Sequence, residues 1–193
     1  MMRTAFLLAL PFALAACGSE PEDQSPAPQT DVAETELPPA NPTVEEFGDT
    51  KIVVDANGVG AKGEETLRFG SARSEVDASL VEAFGEQGEQ SANGECGAGP
   101  MEFSTYGPLQ VNYQDDRLVG WNLQAGEGMA TSDGVRPGTT PYALLKEERT
   151  VREMESTLPG EFHYTSADYG TIGGFAEDGR IVSLHAGVNC FFR

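Results

Sequence analysis

Downstream of residue 50, apolar side chains recur with two different periods. Val76, Leu80, Val81 and Phe84 fall on one face at helical spacing, which predicts an amphipathic helix. Leu144, Leu145, Val151, Met154 and Leu158 repeat that spacing and predict a second. Thr140 suits the N-cap of this second helix and Pro141 its first turn, and Glu148 and Arg152 are spaced for an i,i+4 ion pair. In the first helix Ala72 stands where Thr140 does, so Ser71 is the expected cap. The other period is two. Leu109, Val111 and Tyr113 alternate with Gln110 and Asn112, the pattern of a half-buried strand. Asp115–Asp116 and Asp178–Gly179 are turn pairs, so Leu118–Leu123 and Ile181–Ala186 read as return strands.

The pattern occurs twice. Tyr106–Gly107–Pro108–Leu109 and Asp115–Asp116–Arg117–Leu118–Val119 are answered by Tyr169–Gly170–Thr171–Ile172 and Asp178–Gly179–Arg180–Ile181–Val182, at a constant offset of 63. Upstream, Arg68–Phe69–Gly70–Ser71 is answered by Arg136–Pro137–Gly138–Thr139 at an offset of 68, which implies a shorter helix-to-sheet loop in the second copy. A helix covering one face of an antiparallel sheet, made twice, is an α+β architecture. The boundaries expected are residues 51–126 for the first repeat and 127–193 for the second.

The first fifty residues follow other rules. Arg3 precedes an apolar run, Ala5–Leu14, broken only by Pro11, and then Ala15–Ala16–Cys17. A basic start, a short apolar stretch and small residues at the cut describe a secretory signal peptide, residues 1–16. The run is too short to span a bilayer, which takes about 20 residues. Leu14–Ala15–Ala16–Cys17 resembles the lipobox of bacterial lipoproteins. The resemblance implies that Cys17 becomes an acylated N-terminus, held by palmitate-like chains worth roughly 0.8 kcal/mol per buried methylene. Gly18 lacks the aspartate that signals inner-membrane retention in many such proteins, which implies outer-membrane attachment facing the periplasm. Residues 18–50 carry six of the twelve prolines and nine acidic side chains with no basic one. Such a composition buries too little surface to offset its ordering entropy, so residues 17–50 are expected to be a lipidated, disordered tether.

Charge narrows the partners. Loss of Arg3 leaves 11 basic against 31 acidic side chains. That balance argues against nucleic acid and anionic membrane surfaces, and favours solubility, cations or basic protein patches. The membrane is expected as a partner only through the acyl chains. With Cys17 committed to lipid, Cys96 and Cys190 form an even pair in a disulfide-permissive compartment, and a bond is expected; two buried free thiols are the alternative.

A second resemblance lies in the body. Phe69–Gly70–Ser71–Ala72–Arg73–Ser74–Glu75–Val76, closing at Phe84–Gly85, is similar to a helix-opening motif of small bacterial envelope lipoproteins, and Val135–Arg136–Pro137–Gly138–Thr139–Thr140 fits the same opening. The region 67–187 looks like the fold shared by the small lipoprotein of the β-barrel assembly machinery and the tandem β-lactamase inhibitory protein. The resemblance implies a fold and a protein–protein role; it identifies no binding residue.

Candidate chemistry adds little. Gly58–Val59–Gly60–Ala61–Lys62–Gly63 follows a strand-like run, Ile52–Asp55, as dinucleotide glycines do, but no helix follows it and Glu64–Glu65 would repel a phosphate. A hairpin or loop explains it better. Asp115–Asp116 and Glu177–Asp178 offer oxygens to a hard cation but lie at turns. His163 and His185 are the only histidines, and G-x-S-x-G, H-E-x-x-H and C-x-x-C are all absent. Trp121 and Tyr113 are either a partner-binding aromatic pair or core; alternation favours core. The reading is a lipid-anchored envelope protein that binds another envelope protein, with no catalytic residue, cofactor or metal assigned. The rival is a tethered, hydrolase-like periplasmic enzyme using a histidine and a carboxylate.

Overall fold

The computed structural model describes residues 48–167 and 170–190. The expected signal peptide, Cys17, nearly all of the expected tether, and Tyr169 of the repeat lie outside the described residues.

Among the described residues, twelve strands and two helices form a mixed α+β protein, mostly β. The chain opens with β1 (Ile52–Asp55), β2 (Gly58–Ala61) and β3 (Leu67–Arg68), then α1 (Arg73–Phe84). A meander follows: β4 (Glu89–Asn93), β5 (Met101–Tyr106), β6 (Leu109–Gln114) and β7 (Arg117–Gln124). After β8 (Met129–Thr131) comes α2 (Tyr142–Glu148) and a second meander, β9 (Val151–Glu153), β10 (Glu161–Thr165), β11 (Thr171–Glu177) and β12 (Arg180–Gly187). The two meanders join at β7 and β12 into one eight-stranded antiparallel sheet, in the order β4-β5-β6-β7-β12-β11-β10-β9. A smaller sheet, β3-β2-β1-β8, lies apart from it in hydrogen bonding.

The halves match in detail. A bulge at Val119 of β7 lies opposite Asn112–Tyr113 of β6, and another at Val182 of β12, 63 residues later, lies opposite Phe175–Ala176 of β11. Bulges raise local twist and re-aim side chains. Each places two residues of the return strand, Leu118 with Trp121 and Ile181 with Leu184, on the core face despite their odd spacing. Leu109, Val111, Tyr113, Leu118, Trp121, Phe162, Tyr164, Ile172, Ile181 and Leu184 are all at most 1% exposed and form one core with Val76 and Leu80 of α1, Leu145 of α2, and Ile52, Val54 and Val59 of the small sheet. Trp121 is core: its Nε1–H donates to the Asp55 carbonyl at 2.8 Å and ties the two sheets together.

Both helices begin without a side-chain cap. The N-cap positions are Ala72 and Pro141, so neither Ser71 nor Thr140 caps a helix. The first helical N–H groups are satisfied by hairpin tips instead. Arg73 N donates to Asp116 O and Tyr142 N to Gly179 O, each at 2.9 Å. The Thr140 hydroxyl accepts from Arg136 N at 2.8 Å, closing the turn before the helix. An exposed cap side chain is unneeded where a neighbouring carbonyl already fills the orphan donor.

The second helix is shorter than its spacing predicts. It has 7 residues against 12 in α1, a shortening of five that equals the drift in offset from 68 to 63. Val151 and Arg152 lie on β9, paired with β10, so Val151, Met154 and Leu158 are not helical. Arg149 ends the helix in extended backbone and the β-branched Thr150–Val151 favours a strand. The expected Glu148–Arg152 pair therefore does not form; Lys146 meets Glu153 at 3.4 Å. Leu144, expected on the buried face, is 37% exposed. The glycine pattern at 58–63 is spent on β2, a hairpin partner of β1. A Cβ on Gly58 would sit 2.2 Å from the Leu67 carbonyl oxygen, so glycine is required there for β3 to approach.

Candidate functional site

Side chains of an antiparallel sheet alternate between its faces, so cross-strand partners share a face. One face of the large sheet is core. On the other, a single row crosses all eight strands: Arg152, His163, Gly173, His185, Asn122, Gln110, Thr105 and Glu89. Every side chain in it is polar, and the one glycine lies between the two histidines.

The two halves of this outer face differ. Over the first, the chain beyond β12 runs back across the sheet. Val188 N donates to Val119 O at 2.8 Å, and the Asn112 amide donates to Val188 O at 3.0 Å and to Asn189 Oδ1 at 2.8 Å. Cys190 is bonded to Cys96, with Cα atoms 5.0 Å apart. Beneath lies a small cluster of Cys96, Met101 and Phe103, packed by Val119 and Val188. Asn112, on the outer face, is consequently fully buried. The second half carries no such strap among the described residues.

There a cleft of about 440 Å³ is lined by His163, Thr171, Gly173, His185, Gly187 and Asn189. The imidazoles of His163 and His185 stand edge to face with centroids 6.4 Å apart, and Phe175 lies 5.9 Å from His185. His185 is 8% exposed. Its ring lies down over Gly173: a Cβ there would meet Nε2 at 2.3 Å. Gly173 thus clears the space between the two rings. The sequence names both histidines but not their adjacency, which depends on the register of the strand between them.

A second polar cluster escaped the sequence reading altogether. Asp77 of α1 accepts from Tyr113 Oη at 2.9 Å, Tyr106 Oη at 3.2 Å and Arg73 Nε at 3.3 Å. Arg73 also reaches Glu102 and Gln90, and its guanidinium lies 5.0 Å from the Tyr113 ring centre. Burial, then the Asp77 charge, pushes the Tyr106 phenol up to about 12 and that of Tyr113 well above its usual range. The second half repeats the chemistry with other residues. Asp133 takes Tyr164 Oη at 3.4 Å and Arg149 Nε at 3.2 Å, and burial raises Tyr164 in the same direction. Both clusters fix elements above the core face, a fastening role.

The remaining sequence candidates are scattered. Asp115 and Asp116 sit at the tip of the β6–β7 turn with φ of 50° and 56°, and Asp178 at the tip of the β11–β12 turn. Among the described residues no three His, Cys, Asp or Glu side chains group as a metal site, and no helix is long and apolar enough to cross a membrane. No family model matches this chain, and no curated protein or solved structure matches it.

Proposed function

We propose that this chain is a bacterial envelope lipoprotein, anchored to the outer membrane through Cys17, whose α+β body is a protein-binding module. The observation that carries the reading is the outer face of the β9–β12 half, a polar sheet surface left open beside a half that its own chain straps over. The duplication supports the tandem form of the resemblance drawn from Phe69–Val76. The occupant proposed is an envelope protein with a basic surface, because, after loss of Arg3, 31 acidic side chains oppose 11 basic ones.

The test is photocrosslinking in the native envelope. A crosslinking residue replaces Thr171, exposed on the open face, or Glu75, exposed on α1. A discrete protein adduct from position 171 alone, weakened by high salt, is the expected result. Equal labelling from both positions, or none, would overturn the binding face. Changing Cys17 to Ala should move the protein out of the membrane fraction; unchanged partition removes the anchor. The two histidines in one cleft favour one rival, a histidine-dependent hydrolase. A panel of ester and amide substrates turned over by the wild type and not by the His185→Asn variant would put that reading first.

A further inference from the structure

We propose that His163 and His185 form a binding site for a divalent transition-metal ion, zinc in the first instance. The inference goes beyond the protein-binding reading and stands whether or not a partner is found.

Three observations carry it. The first is geometric. Zinc holds imidazole nitrogen at about 2.0–2.1 Å in tetrahedral geometry, so two rings sharing one ion have centroids roughly 5–5.5 Å apart. The observed separation is 6.4 Å, about 1 Å longer, so the two rings must swing toward each other over Gly173 to share an ion. The second is the glycine. His163 pairs with Gly173 and Gly173 with His185, so the imidazoles come from strands that are not neighbours. Only because Gly173 has no side chain can the His185 ring lie across the intervening strand, with Nε2 aimed over it.

The third is an internal control. The same three lattice points in the first half hold Thr105, Gln110 and Asn122, and there Asn122 reaches Gln110 through an amide hydrogen bond of 3.4 Å. The second half replaces Thr–Gln–Asn by His–Gly–His. The chain's only two histidines both sit in that row. A row of solvated polar side chains has no need to lose the middle one.

Imidazole ligands select zinc, copper and nickel over calcium and magnesium. The hydroxyl of Thr171 and the amide of Asn189 line the same cleft. Water completes the coordination, which leaves the ion open to a further ligand.

Full-length chain without a polyhistidine tag, with the disulfide intact, is titrated with zinc at pH 7.5 and followed by calorimetry. In parallel, nickel is added at substoichiometric levels while the two histidine Cε1 protons are followed by NMR. One equivalent of zinc per chain is expected, undiminished by millimolar calcium, with both histidine resonances broadening together. His163→Asn and His185→Asn should each weaken binding by at least about tenfold. Gly173→Ala keeps both imidazoles but crowds the His185 ring, and should weaken it too. Lowering the pH to 5 should release the metal, since imidazole must be neutral to ligate. If the His163→Asn/His185→Asn double variant binds as the wild type does, the ion sits on carboxylates. If neither histidine broadens, there is no such site. Either result overturns the proposal, and neither bears on the crosslinking test.

Discussion

Asp77 collects two phenolic hydroxyls and a guanidinium at the seam between helix and sheet, and that placement makes the fold sensitive to alkali. Tyr106 is pushed up to about 12 by burial and by Asp77, and Tyr142 to about 12 by burial and by Glu153. An unfolded tyrosine ionises near 10. A raised folded pKa means the native state holds the proton more tightly. The stabilisation is complete below about pH 10 and is lost as pH climbs through 12. For Tyr106, 3% exposed, the loss is at most about 2–3 kcal/mol. Urea midpoints should therefore fall between pH 10 and 12, and Tyr106→Phe should flatten that fall; a variant with an unaltered slope would show that Tyr106 is not the group responsible. The i,i+4 spacing of Arg73 and Asp77 is visible in the sequence, but the two tyrosines stand 29 and 36 residues from Asp77 and are brought there by strand pairing. The histidine pair was hidden for the same reason. Alternation places each residue on a face and says nothing of which strands become neighbours.

Among the elements, those governed by local chemistry were readable and those settled by a distant partner were not. Helix α1 and the β6–β7 and β11–β12 hairpins follow from spacing and turn residues. Helix α2 does not, because residues 151–153 satisfy a helical pattern yet gain more by pairing with β10. Strand β8 has three residues, too few to alternate, and exists through its parallel partner β1. The two hairpin turns also differ instructively. The second pairs Asp178 with Gly179 at φ of 48° and 76°, whereas the first sets Asp115 and Asp116 both at positive φ. Glycine takes that conformation without the Cβ penalty. Asp116→Gly keeps the carbonyl that receives Arg73 N–H and should stabilise the protein by roughly 0.5–1 kcal/mol, raising Tm by about 2–4 °C. A lower Tm would mean the Asp116 side chain contributes more than its backbone strain costs.

At the scale of the molecule, the duplication was readable at its offset of 63, and the cysteine pair from parity once Cys17 is set aside. The small sheet was not anticipated. Nor was the strap, whose contacts depend on where the chain turns after β12. The Cys96–Cys190 bond spans 94 residues and joins the loop after β4 to that strap. The chain-entropy argument places its stabilisation at up to about 4–5 kcal/mol. Reduction, or the Cys96→Ser/Cys190→Ser pair, should lower the urea midpoint and expose Met101 and Phe103 to dye binding; identical midpoints before and after would strip the bond of that role. The order in which these pieces can assemble is equally constrained. Each meander closes through neighbouring strands and is quick to form, but the β7–β12 seam and the β1–β8 pair must wait for segments far along the chain. Cys190 follows the last strand to be made. Docking of both meanders holds the Cys96 and Cys190 Cα atoms 5.0 Å apart, so the folded arrangement favours oxidation and the bond in turn pins the docked arrangement.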